Sequence, residues 1–113
     1  MSIKLIAVDM DGTFLDDEIK YNKERFMKQY RELKARGIKF VVASGNPYYQ
    51  LKSFFPSIEN EIAFVAENGA YIVDSGQELF SGEMSKETIK KIIMHLKCYL
   101  FMIKSLHIKT IQK

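Results

Sequence analysis

The chain has 113 residues, 47% of them hydrophobic and 27% charged, which fits one globular domain and excludes a disordered chain. A formal charge of +3 is too small to argue for a nucleic-acid partner. A single cysteine, Cys98, excludes an internal disulfide and argues against a Cys-based zinc site. The charge is unevenly placed: residues 1–85 hold 10 basic and 13 acidic groups, whereas residues 86–113 hold seven lysines and one glutamate. This contrast divides the chain into a core region, 1–85, and a Lys-rich tail, 86–113. The apolar run before Asp9 is too short for a signal peptide. That from Ile92 to Ile103 is broken by His95 and Lys97 and is too short to span a bilayer. A soluble cytoplasmic protein is expected, free of membrane and nucleic-acid partners.

In chain order, Ile3 to Val8 reads as a buried strand that ends in Asp9. Gly12 and Thr13 open a turn, and Phe14 to Glu18 form a polar-edged loop. A helix starts near Tyr21-Asn22, with Phe26, Met27, Tyr30 and Leu33 at helical spacing, and stops at Gly37, placed as a C′ glycine. Ile38 to Ala43 is a second buried strand, cut by Ser44-Gly45-Asn46-Pro47. Pro47 suits the first turn of another helix, which carries Tyr48, Leu51 and Phe54 and ends near Pro56. Glu61 to Ala66 is a third strand, ended by Asn68-Gly69. Ala70–Val73 and Glu78–Phe80, joined by Asp74 to Gln77, read as a hairpin. From Ser85, residues Ile89, Ile92, Ile93, Leu96, Leu100 and Ile103 share one face of an amphipathic helix, and the pattern fades after Leu106. Strand, helix, strand, helix, strand argues for an α/β unit with a right-handed parallel sheet. Such sheets bind ligands beyond the carboxyl ends of their strands. Asp9–Thr13, Ser44–Asn46 and Glu67–Gly69 all fall there.

Asp9-Met10-Asp11-Gly12-Thr13 carries the chemistry. One carboxylate can attack phosphorus as an oxygen nucleophile. The other can protonate the leaving alkoxide and later take a proton from water. Mg²⁺, which prefers oxygen ligands, would neutralise the like charges that repel a phosphate. Gly12 lets the chain turn after the acids, Thr13 can hydrogen-bond across that turn, and Met10 is expected to pack beneath the site. An acidic turn that merely caps a strand is the plainer alternative.

Val8-Asp9-Met10-Asp11-Gly12-Thr13 resembles the first motif of the haloacid dehalogenase-like (HAD) phosphohydrolase superfamily. Val42-Ala43-Ser44-Gly45-Asn46 resembles its second. The run Ala43 to Phe55 and the segment Phe64 to Ala70 resemble the Cof-type branch, in particular sugar-phosphate phosphatases with an inserted α/β cap. The likeness covers about residues 3–85. It implies a partial Rossmann-like core, an aspartyl-phosphate intermediate and Mg²⁺. It makes Asp9 nucleophile and metal ligand, and Asp11 general acid/base with its backbone carbonyl also on the metal. Ser44 would bind the transferring phosphoryl group, with Gly45 and Asn46 shaping its pocket beside Gly12 and Thr13. Asn68-Gly69 is either a substrate contact, through Asn68, or only a turn; Glu67 receives no role.

The family pattern also needs a lysine in a specific context and a later Gly-Asp-x-x-Asn-Asp-like segment. No aspartate follows Asp74, and Lys86, Lys90, Lys91, Lys97, Lys104, Lys109 and Lys113 match only by residue type. The expectation is therefore the N-terminal part of a phosphatase, its activity impaired. The tail is either the first cap helix or atypical text. The alternative is a non-catalytic fragment that folds and self-associates, since an unpaired apolar sheet edge invites another chain. A homo-oligomer through the sheet edge or the C-terminal helix is expected in either case. A phospho-acceptor receiver domain is disfavoured, because the position after the third strand reads Ala66-Glu67-Asn68. His95 and His107 are read as surface residues.

Overall fold

The structure, a computed structural model, describes residues 2–111, with side chains through Leu100. Two compact units divide the chain, Met1–Gly82 and Glu83–Lys113.

The first unit is built on a five-stranded sheet in the order β1-β2-β3-β4-β5. The strands are β1 (Leu5–Asp9), β2 (Lys39–Ala43), β3 (Ala63–Ala66), β4 (Tyr71–Asp74) and β5 (Gln77–Ser81). β1, β2 and β3 are parallel, in register Val8↔Val42 and Val42↔Phe64. β4 and β5 continue the same sheet antiparallel. The expected hairpin is thus part of the sheet rather than an appendage to it. Its turn is tighter than expected. Ser75 and Gly76, at φ 52° and 79°, make a two-residue connection, and Asp74 pairs directly with Gln77. Positive φ at both central residues matches the twist of the flanking strands.

Helix α1 (Lys23–Ala35) joins β1 to β2. Asn22 caps it, its side chain accepting the Arg25 N–H at 3.0 Å, which satisfies one of the orphan donors of the first turn. Gly37, at φ 70°, follows its end as expected. Helix α2 (Tyr48–Ser53) starts after Pro47 and joins β2 to β3. The β3 strand starts two residues later than expected, because Glu61 and Ile62 belong to the preceding turn.

The core lies under the sheet and these helices. Met10, Phe26, Tyr30, Phe40, Val42, Leu51, Phe55, Ile62 and Phe64 are buried there. Two further residues were expected in a polar loop and belong to the core instead. Leu15 is buried, and the Phe14 ring lies 5.1 Å from Phe26, edge to face, and 4.9 Å from Tyr21. Aromatic rings in such a cluster bind by area and by quadrupole geometry, so this loop is anchored under the first motif.

β1 corrects the expectation of a buried strand. Its residues alternate between exposed and half-buried, and Leu5 is 56% exposed. The reason is topological: β1 is the edge of the sheet and pairs with β2 alone.

The second unit contains helix α3 (Lys86–Ile111). Ser85 precedes it, its hydroxyl accepting the Thr88 N–H at 3.1 Å. Ile89, Ile92, Ile93, Leu96 and Leu100 follow one another at helical spacing, while Ile103 lies outside the described side chains. Helical backbone continues past Leu106, where the amphipathic pattern fades. Among the described residues no helix is long and apolar enough to cross a membrane.

Candidate active site

The three parallel strands end side by side, and each delivers one of the expected segments. Asp9 is the last residue of β1 and pairs with Ala43, the last of β2. The turn Met10–Phe14 follows at once, closed by the Leu15 N–H donating to the Met10 carbonyl at 2.8 Å. Gly12 takes φ 72° inside it. That is a left-handed conformation that costs a residue with a Cβ about 1 kcal/mol or more. Met10 is wholly buried beneath the site, as expected. Its neighbours Asp9 and Asp11 are exposed at the surface. One buried apolar residue thus stands between two exposed acids at the strand end. Thr13 Oγ1 reaches back to Asp9 Oδ2 at 3.4 Å, a long contact across the turn.

At the end of β2, Ser44 keeps the sheet going by one bond, its N–H donating to the Val65 carbonyl at 3.0 Å. Its hydroxyl accepts the Asn46 N–H at 3.1 Å. The side chain of Asn46 turns toward the first motif, and its Nδ2 donates to Asp11 Oδ2 at 2.9 Å. At the end of β3, Glu67 and Asn68 adopt φ 52° and 55°, followed by Gly69 at 93°. This left-handed run turns two backbone donors toward β2. The Glu67 N–H binds the Asn46 carbonyl and the Asn68 N–H binds the Ser44 carbonyl, both at 3.1 Å. The Asn68 side chain lies against Gly45: a Cβ there would sit 3.1 Å from Asn68 Oδ1.

These pieces surround a cleft of about 300 Å³ lined by Asp9, Ala43, Ser44, Gly45, Val65, Asn68 and Gly69. Asp9, Ser44, Gly45 and Asn68 therefore meet around one space. Asp11, Gly12, Thr13 and Asn46 lie outside its lining, the first three in the turn after β1 and Asn46 in the turn after β2. Asn68 belongs to the turn after β3 and also lines the cleft. Ala43 and Val65 were not singled out from the sequence as site residues, whereas Gly69 was included with Asn68 in the third strand-end segment. The contact between Asn46 and Asp11 had none, because it joins two turns 35 residues apart. Among the described residues no ion pair involves Asp9 or Asp11, and no three His, Cys, Asp or Glu side chains gather as a metal site. His95 is exposed, as expected, while His107, Lys104, Lys109 and Lys113 lie outside the described side chains.

Three parallel strands, with an acidic turn after the first and a serine after the second, define an α/β core whose candidate site lies at the carboxyl ends of the strands. The model of the haloacid dehalogenase-like hydrolases matches residues 6–110, and the chain belongs to that family. It is 66% identical over 96 residues to the 5-amino-6-(5-phospho-D-ribitylamino)uracil phosphatase YbjI of Escherichia coli (strain K12), an alignment of 85% of this chain and 35% of that protein. It is 34% identical over 79 residues to the 5-amino-6-(5-phospho-D-ribitylamino)uracil phosphatase YcsE of Bacillus subtilis (strain 168), covering 70% of this chain and 31% of that one. Among solved structures, SMU.1108c from Streptococcus mutans UA159 superposes with a TM-score of 0.81 at 44% identity, over 85% of this chain and 36% of that one. The chain thus spans about a third of the length of the relatives it matches.

Proposed function

We propose that this chain carries the nucleophile and phosphate-binding half of a Mg²⁺-dependent phosphatase acting on a small phosphorylated metabolite, a sugar phosphate or phosphorylated ribityl compound. The observation that carries this reading is the meeting of Asp9 and Ser44 across one cleft at the ends of adjacent parallel strands. An Asp9 carboxylate oxygen attacks phosphorus in line with the leaving oxygen and forms an aspartyl phosphate. Asp11 gives its proton to the leaving alkoxide, then takes one from the water that opens the acyl phosphate. The Ser44 hydroxyl donates to a phosphoryl oxygen, and Gly45 keeps the wall beside it thin. The oxygen-only donors at Asp9 and Asp11 fit Mg²⁺, which would be held by the Asp9 carboxylate and the Asp11 backbone carbonyl. Bound there, the ion supplies charge neutralisation between carboxylate and phosphate.

The test is phosphate release from a panel of phosphorylated sugars and ribityl compounds, with and without Mg²⁺. The Asp9→Asn variant is expected to lose at least roughly a thousandfold in rate, as enzymes stripped of a covalent nucleophile do. Equal release by both chains would leave the second reading, a fragment that folds and self-associates without turnover. Its supporting observation is the free edge of β1.

A further inference from the structure

We propose that Asn46 is a positioning residue that fixes both the proton-transfer carboxylate and the phosphate-binding hydroxyl, an inference that rests on the phosphatase reading of the site. Asp11 sits exposed on a short turn next to Gly12. A carboxylate in such a place has several rotamers open to it. Among the described residues one hydrogen bond holds it, from Asn46 Nδ2 to Oδ2 at 2.9 Å. An amide N–H at this distance selects one rotamer of the carboxyl group. It occupies one oxygen and leaves the other, Oδ1, for the leaving group and later for water.

Asn46 is itself fixed by two backbone bonds. Its N–H donates to Ser44 Oγ at 3.1 Å, and its carbonyl accepts the Glu67 N–H at 3.1 Å. The first bond occupies an acceptor site on the Ser44 oxygen and leaves that hydroxyl's proton free for a phosphoryl oxygen. The second ties residue 46 to the end of β3. Asp11 is therefore referenced to the rigid ends of β2 and β3 and not to its own turn. One residue sets the separation between the group that binds phosphate and the group that moves the proton. Reacting groups misplaced by about 1 Å can cost a hundredfold in rate, which is the scale of effect expected from losing this contact.

Asn46→Ala is the informative variant, because it keeps the backbone N–H on Ser44 and removes only the arm to Asp11. Its kcat is expected to fall by about ten- to a hundredfold with KM changed by less than about twofold. In an Asp11→Ala background the same substitution is expected to have no further effect. A loss of equal size in that background, or a loss confined to KM, would overturn the inference. A second measurement does not depend on turnover. In ¹⁵N spectra of the 113-residue chain, the side-chain amide signals of Asn46 are expected to shift in Asp11→Ala and to exchange faster with solvent. Unmoved signals would refute the contact. Absence of phosphate release from the parent chain would refute the phosphatase reading, while the amide signals would still decide the role of Asn46.

Discussion

At the scale of single residues, the site depends on a close approach at Gly45. A methyl group there would lie 3.1 Å from Asn68 Oδ1 and 3.4 Å from its Nδ2. The neighbour is the end of a side chain and can move, so Gly45→Ala is expected to cost less than about 1 kcal/mol of stability. The Asn68 amide, however, must be displaced from its place in the cleft lining. Inhibition by orthophosphate should weaken about five-fold, equivalent to about 1 kcal/mol of binding, while the melting temperature stays nearly constant. A large fall in melting temperature with unchanged inhibition would show that Asn68 serves the turn alone. The positions of Asp9, Ser44 and Asn68 were legible in the sequence because each lies just past a short apolar run that turn residues bound as a strand, and in a parallel sheet such strand ends lie together. Asn46 was legible as a pocket residue but not as the partner of Asp11. That pairing depends on how two turns face each other, which no local pattern encodes.

Elements are locked together at the opposite end of the sheet by two polar clusters. Glu61 accepts bonds from Lys34 and from the Tyr30 hydroxyl, joining α1 to the turn before β3. Asp74 pairs with Lys39 and also accepts a bond from Ser75, joining β4 to β2. The Lys34 hydrogen bond is the main cause that holds the Glu61 carboxyl below its ordinary 4.5, and the Lys39 bond does the same for Asp74 below 3.8. A carboxyl whose folded value is depressed stabilises the fold fully above its unfolded value and loses that contribution as pH falls through the folded one. Melting temperature should therefore drop as the solution is taken from about pH 5 to about pH 3, and Glu61→Gln should flatten the curve over that window. An unchanged slope in the variant would remove Glu61 from the account. Tyr30 works on the alkaline side. Burial first, then the Glu61 charge, pushes its hydroxyl up to about 12, so its contribution is complete below 10 and is lost as pH rises toward 12. Most of these elements were legible from periodicity and punctuation: Asn22 and Gly37 bracket α1, and Pro47 opens α2. The hairpin was legible as an element, but its merger with the parallel sheet was not. Pairing of β3 with β4 is a tertiary choice that strand composition leaves open.

For the whole first unit, the decisive feature is the edge at β1. Burial there was misjudged because an apolar run reports hydrophobicity, not the number of neighbouring strands. The Lys39 N–H donates to the Lys4 carbonyl, so by alternation Lys4, Ile6 and Val8 direct their backbone groups at β2. Leu5, Ala7 and Asp9 then direct theirs outward, away from the sheet. Leu5 to Val8 carry no charge, no proline and no bulge, the devices that protect natural edges. Beside this edge, Ile6, Val8, Phe14, Phe26, Leu33 and Phe40 line an apolar groove of about 690 Å³. We propose that copies of the chain associate through β1, because pairing satisfies the outward backbone groups and covers apolar surface together. Ala7→Pro tests the route cleanly. Proline is tolerated where a strand's N–H faces outward, so pairing with β2 is preserved while the outward donor is lost. Light scattering during size-exclusion chromatography should show a concentration-dependent dimer or larger species for the parent chain and a shift toward monomer for the variant. A monomer at every concentration of the parent chain would end the proposal. An oligomer unaffected by Ala7→Pro would rule out the β1 edge as the route.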